Sequence, residues 1–271
     1  MDPALFTSLI VTITAFIGIW LIHVLKEDAG VIDFYWGPGF VVIGAVTWAF
    51  HGFQTSWHLA FMGAITLWAT RLTWHLGRRH MSAETEDARY LKMRENGGPN
   101  YWWISLFKVF ILQAFILWAV AAPVHVAMHE PVSENFNVAL FALGMTLFVI
   151  GFVVETIADY QIEAEKMARQ HTTSTPKLVG SGLWSRSRHP NYFGELVLWW
   201  GLGLSSFAMS ASWVAFAGPG LLTLVMIGIS IPLTEQWMER SRPGYKQYKA
   251  VTPMLIPAFV KPRGPAKQPV T

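Results

Sequence analysis

The chain has 271 residues, of which 53% are hydrophobic and only 14% charged, with a formal net charge of +3. A soluble domain carries about 25% charged residues, so this composition excludes an ordinary soluble globular protein. Cysteine is absent, which excludes disulfides, thiolate catalysis and Cys-ligated zinc or iron–sulfur centres.

Apolar runs of roughly 20 residues predict an all-α, polytopic integral membrane protein with seven transmembrane helices, at about 4–25, 31–50, 57–76, 103–128, 136–156, 192–210 and 212–233. The first run is too long for a signal-peptide core and lacks a basic flank and a small-residue cleavage site, so it reads as a span. The second opens on Val-Ile-Asp-Phe-Tyr-Trp-Gly-Pro-Gly at 31–39. Asp33, beside Tyr35 and Trp36, is either a proton donor of raised pKa or a helix cap.

The third run places Arg71 a turn or two inside its end, where a guanidinium needs an anion or a carboxylate. Arg78 follows seven residues later on the same helix face. With Arg79, His80, Glu86, Asp87, Arg89 and Tyr90 it forms a polar connector. That connector suits phosphate capture by guanidinium forks, or membrane anchoring with local ion pairs.

Directly after the fifth run come Asp159-Tyr160-Gln161, Glu163, Glu165, Lys166 and Arg169. A solvated helical extension explains the later charges. Asp159, nearest the membrane, could accept hydrogen bonds from an amide or a ribose hydroxyl. Lys177, Gly180 and Gly182 then precede Ser-Arg-Ser-Arg-His-Pro-Asn-Tyr-Phe-Gly-Glu at 185–195. Pro190 suits the first turn of a helix. Asn191 and Glu195, four apart, share a face with Tyr192 close by. Surface anchoring accounts for Arg186 and Arg188 but not for Glu195, which would lie a turn inside lipid. After the seventh run, Glu235, Arg240, Arg242, Tyr245, Tyr248 and Lys249 form a last cluster. Lipid binding by a basic helix explains its cations but not Glu235.

With an outside N-terminus and a cytoplasmic C-terminus, all 20 Lys and Arg fall on the cytoplasmic side, as the positive-inside rule requires. Residues 1–260 are expected to form one membrane domain. The Pro- and Lys-rich residues 261–271 are expected to be disordered. No metal site and no nucleic-acid partner are expected. Ionisable groups crowd one face and no repeat is visible, which disfavours a transporter.

Asn-Tyr-Phe-Gly-Glu at 191–195, with Gly-Leu-Trp at 182–184, Asp159-Tyr160 and the tail from Tyr245 to Leu255-Ile256-Pro257, resembles the C-terminal domain of steroid 5α-reductases. Asp33 and Glu-Asp-Ala-Arg-Tyr at 86–90 look more like an uncharacterised bacterial branch of that superfamily. The resemblance implies a seven-helix fold that holds NADPH in a cytoplasm-facing cavity. Hydride would pass from it to a conjugated carbon–carbon double bond of a steroid-like or other lipid entering from the bilayer. It implies that Asp159, Asn191 and Glu195 surround the dinucleotide and that Arg71, with Arg78 and Arg79, meets its phosphates. Asp87, Arg89, Tyr90, Lys166, Lys177, Arg188, His189, Tyr192, Glu235 and Tyr245 complete the expected cofactor-binding set. The Gln-Glu pair of the reductases' second span is missing here, and Asp33 is the nearest carboxylate. Trp68 stands where the third span of the reductases has a Tyr, so Asp33, Tyr35 and Trp68 are the expected catalytic residues.

Arg188-His189-Pro190-Asn191-Tyr192, with Glu235 and the Tyr-x-x-Tyr tail, is also similar to the isoprenylcysteine carboxyl methyltransferases. The alternative is therefore an S-adenosylmethionine-dependent membrane methyltransferase. A bacterial inner membrane is expected over the endoplasmic reticulum.

Overall fold

The computed structural model describes residues 2–52, 55–81, 88–129, 131–169 and 179–258, and among these every regular element is helical. In chain order they are α1 (Pro3–Lys26), α2 (Trp36–His51), α3 (Ser56–Met81), α4 (Ala88–Gly97), α5 (Tyr101–Ser105), α6 (Leu112–Val120), α7 (Ala122–His129), α8 (Val138–Arg169), α9 (Pro190–Ser210), α10 (Ala217–Val225), α11 (Ile231–Ser241) and α12 (Tyr245–Val251). Five stretches are long and apolar enough to cross a bilayer: Pro3–Lys26, Ala29–His51, Tyr90–Val120, Val138–Glu165 and Trp213–Ser241. The protein is a helical membrane protein.

The two other expected spans correspond to α3 and α9. At about 1.5 Å per residue both are long enough to cross. Their sequences are more polar, because α3 carries Thr66, Thr70, Arg71, Thr73 and His75, and α9 carries Asn191, Glu195, Ser205, Ser206 and Ser210. The expected span at 103–128 is broken rather than continuous. It runs through α5, a π-helical segment at Leu106–Ile111, α6 and then α7. Pro123 falls at the second position of α7, where its missing N–H costs nothing. A second π segment, Met226–Ser230, precedes Pro232. A proline there cannot donate to the turn behind it and clashes with that turn's carbonyl, which the wider winding relieves.

Two compact units make up the chain. The first holds residues 1–142 and 202–218, and the second residues 143–201 and 219–271. In the first, Asp2 caps α1, its Oδ1 accepting from the Ala4 and Leu5 amides at 2.8 and 3.2 Å. Glu27 ends the helix in the left-handed region, and Asp28 caps the 3-10 turn Ala29–Tyr35 by accepting from the Gly30 amide. The core is aromatic and branched: Phe16, Ile32, Phe40, Ile43, Phe61, Ile65, Trp68, Phe110 and Leu117 are all fully buried. Glycines set the approach of α2 to α3. A Cβ on Gly37 would lie 2.6 Å from the Ala69 carbonyl oxygen, and one on Gly44 2.5 Å from the Met62 sulfur.

The second unit repeats that device between α8 and α9. A Cβ on Gly194 would lie 2.5 Å from the Glu155 amide nitrogen, one on Gly151 2.4 Å from the Gly194 carbonyl, and one on Gly201 2.5 Å from the Gly144 carbonyl. Small residues let helix backbones approach where lipid supplies no hydrophobic drive between helices. Large apolar side chains such as Leu25, Trp103, Trp213 and Leu224 are exposed, as expected of a lipid-facing surface.

Candidate functional site

The ionisable residues of the second unit gather where α8 ends, α9 begins and α11 turns into α12. Pro190 opens α9 and disfavours helix at His189. The 186–189 segment runs beside residues 253–258. The Arg188 amide donates to the Pro253 carbonyl at 2.9 Å, and the Ala258 amide to the Arg186 carbonyl at 2.9 Å. The Ser187 hydroxyl donates to the Leu255 carbonyl at 2.7 Å and accepts from the His189 amide at 3.1 Å.

Arg188 is the centre of this network. Its Nε donates to Glu235 Oε1 at 2.8 Å, and its Nη1 donates to the carbonyls of Lys249 and Thr252 at 2.8 and 3.0 Å. Glu235, buried on α11, also meets His189 Nε2 at 3.2 Å and Lys249 Nζ at 2.9 Å. Lys249 in turn donates to Glu239 at 2.8 Å. One buried carboxylate thus holds three basic side chains from two other segments. An ion paired this completely can persist in a site of low dielectric. Burial pushes the His189 imidazole below its ordinary pKa, although Glu235 pulls it up, so the ring is neutral near pH 7. Tyr192 stacks on it with ring centroids 5.4 Å apart and an interplanar angle of 13°.

The network continues to α8. Burial, with the Glu235 carboxylate, raises the Tyr245 phenol, and burial, with Tyr245, raises that of Tyr248. The Tyr248 hydroxyl donates to the Trp184 carbonyl at 2.5 Å. The Trp184 indole donates to the Ala158 carbonyl at 2.9 Å, next to buried Asp159. Gln161 accepts from the Leu183 amide at 2.9 Å. Gly182 (φ 56°) is required here, because a Cβ would sit 2.5 Å from the Gln161 amide group. A cavity of about 440 Å³ opens beside it, lined by Ile157, Gln161, Gly182, Leu183, Ser185 and Arg186.

Of the residues expected at the cofactor, then, Asp159, Arg188, His189, Tyr192, Glu235 and Tyr245 belong to this region. Asn191 and Glu195 are half-buried on the first turns of α9. Asp87 and Lys177 lie outside the described residues, as do the side chains of Arg89 and Lys166. The expected cofactor set left out three members of this region. Lys249 and Tyr248 look like generic residues of a basic surface helix. Glu155, 3% exposed on α8 one turn before Asp159, carried a legible signal, since a carboxylate inside an apolar run demands a partner.

The remaining expected residues belong to the first unit. Arg71 is half-buried on α3, Arg78 and Arg79 are exposed at its end, and Tyr90 is buried. Asp33 and Tyr35 are half-buried in the 3-10 turn, with the Tyr35 ring edge-on to Phe16 at 5.5 Å. Trp68 is a core residue, 1% exposed and packed on Phe40 at 5.7 Å. Between α2 and α3 lies an apolar cavity of about 620 Å³, lined by Phe34, Pro38, Val42, Ala69 and Trp74 and reaching Arg78. Asp28 Oδ2 meets His80 Nε2 at 3.0 Å near that end of α3.

Comparison with known proteins places this architecture. An uncharacterized protein of Schizosaccharomyces pombe is 28% identical over 257 residues, covering 85% of this chain and 73% of the yeast protein. Residues 19–252, which include both the α2–α3 cavity and the Arg188–Glu235 network, match a family described as protein of unknown function (DUF1295). The chain belongs to the DUF1295 family.

Proposed function

We propose that the protein is an NADPH-dependent membrane reductase of the steroid 5α-reductase kind, acting on a conjugated double bond of an apolar lipid. The observation that carries the reading is the buried ionisable network of the second unit. Glu155, Asp159, His189 and Glu235 are each at most 6% exposed in a chain built for lipid, where such groups mark ligand sites. The residues present fit a dinucleotide in part. Asp159, Asn191 and Glu195 offer acceptors for amide and ribose groups, and Arg186 lines the adjoining cavity as a phosphate partner. Arg188 positions the α11–α12 corner instead, since two of its three nitrogens are already bonded. A bound dinucleotide would supply hydride to one carbon of the double bond. Within the first unit, Asp33 and Tyr35 flank Phe34, which lines the apolar cavity, and either could act as a proton donor. We further propose seven spans, adding α3 and α9 to the five above, with the N-terminus outside and the network at the cytoplasmic face of a bacterial inner membrane.

A second reading, methyl transfer from S-adenosylmethionine, is favoured by the way Glu235 binds Arg188 and His189 while Tyr245 and Tyr248 join them. Those are the residues of the methyltransferase resemblance. One experiment separates the two. The purified protein is titrated with NADPH and with S-adenosylmethionine, and tryptophan quenching is followed. NADPH is expected to saturate the signal in the parent and to bind at least about tenfold more weakly to Asn191→Ala and Glu195→Ala, a loss of about 1.4 kcal/mol. Equal affinity in both variants, or saturation by S-adenosylmethionine alone, overturns the reductase assignment.

A further inference from the structure

The first unit brings together three residues that the function above does not use. Asp2 precedes α1, His51 is the last residue of α2 and His129 the last of α7. One ligand atom from each lies within 4.8 Å of the other two. Asp2 Oδ2 and His129 Nε2 are 3.2 Å apart, and the His51 and His129 rings are 4.4 Å apart between centroids. The packing holds them there. Gly52 (φ 76°) stops α2 just after His51, and α2 meets α7 closely, since a Cβ on Gly44 would lie 3.2 Å from Val124.

Two observations point to a ligand. The His51 Nε2 is buried with no hydrogen-bond partner among the described residues, a state a folded protein avoids unless that atom has another use. The Asp2 carboxylate is oriented by its capping bonds, Oδ1 taking the two helix amides while Oδ2 faces His129. With metal–ligand bonds of about 2.0 Å, tetrahedral zinc ligands stand roughly 3.3 Å apart. The Asp2–His129 pair already has that separation, and the His51 ligand atom lies within 4.8 Å of both.

We propose that Asp2, His51 and His129 bind a divalent transition metal of the zinc class. Two imidazoles and a carboxylate match zinc chemistry, whereas calcium and magnesium require shells richer in oxygen. Three protein ligands leave a fourth position for water. The capping bonds to Asp2 act as the outer shell that fixes the carboxylate. The metal ties the start of α1 to the ends of α2 and α7. On the proposed seven-span topology this is the side away from the cytoplasm. The inference does not depend on the reductase reading.

The test uses the full chain in detergent micelles, purified through a histidine-free tag and stripped with a chelator. Zn²⁺ is titrated by calorimetry, and Co²⁺ is added to read the visible absorption of a tetrahedral site. The parent is expected to take up one equivalent of either ion and to gain thermal stability. His51→Gln and His129→Gln are expected to bind more than about a hundredfold more weakly, beyond what changes to outer-shell groups cost, and to gain no stability from the ion. Far-UV circular dichroism and elution volume establish that each variant is folded before binding is measured. His80→Gln, whose imidazole pairs with Asp28 instead, is expected to bind as the parent does. No stoichiometric binding by the parent, unchanged binding by both His variants, or stabilisation by Ca²⁺ in place of Zn²⁺ each overturns the proposal.

Discussion

Substituting Gly194 by alanine tests whether α8 and α9 are held at backbone contact. The new methyl would lie 2.5 Å from the Glu155 amide nitrogen, 2.7 Å from the Gly151 carbonyl oxygen and 2.9 Å from the Glu155 Cα. Ordinary contact begins near 3.5 Å, so the helices must part by about 1 Å. Each atom met is backbone, and no rotamer change relieves the clash. Overpacking of this kind costs about 1–3 kcal/mol. Alanine returns about 0.5–1 kcal/mol of helix propensity, which leaves a net loss of up to about 2.5 kcal/mol. Gly18→Ala and Gly63→Ala are the matched controls, because a Cβ at either meets nothing within 4 Å. Each of these is expected to gain about 0.5–1 kcal/mol. The assay is unfolding in mixed micelles as the denaturing detergent fraction rises, followed by far-UV circular dichroism. The double variant Gly151→Ala with Gly194→Ala should lose less than the sum of its parts, since both changes separate one helix pair. If Gly194→Ala matches Gly63→Ala in stability, the close approach is refuted.

Glu235→Ala should cost up to about 3–5 kcal/mol, because it removes the carboxylate that pairs with Arg188 and Lys249, whereas Glu235→Gln should cost less; the same unfolding assay compares them. Tyr248→Phe should cost about 1–2 kcal/mol by leaving the Trp184 carbonyl short of a donor, with a blue or red shift in tryptophan emission as a second readout. The His189 imidazole has its folded-state pKa depressed, chiefly by burial, so the unfolded chain takes a proton first as the medium acidifies. Stability from this group is therefore present above about pH 6.5 and lost as the pH falls toward the folded value. His189→Gln should flatten that acid limb. At the other end, burial raises Tyr245 and Tyr248, so stability should decline above about pH 10. A pH series of thermal unfolding from 4 to 11 reads both limbs.

The helices were legible because hydropathy acts locally. The expected first run, 4–25, is helix Pro3–Lys26, and the expected sixth, 192–210, is helix Pro190–Ser210. The break at Ala121 and the π segment before Pro232 were not legible, since each reflects how a proline is accommodated by its surroundings rather than a change in composition; the π segment at Leu106–Ile111 has no comparable signal in the sequence. Glu155 carried a signal as a lone carboxylate in an apolar run, although an average over the window does not register it. Arg188 was readable as important but not as a clasp, because its acceptors are backbone carbonyls 61 and 64 residues away. Asp2, His51 and His129 sit at three distant points of the chain, and only packing makes them neighbours.

The dependence of the 186–189 segment on residues 252–258 constrains the order of biosynthesis. Its acceptors at Thr252, Pro253 and Leu255 are among the last described residues to leave the ribosome. The helices can be inserted one after another, but this segment must wait, unsecured, until residues 252–258 have been made. A nascent chain arrested before residue 252 would carry all the membrane helices and still lack the closure. Premature termination there would yield a protein that is inserted but immature, and open to quality-control proteases at that corner.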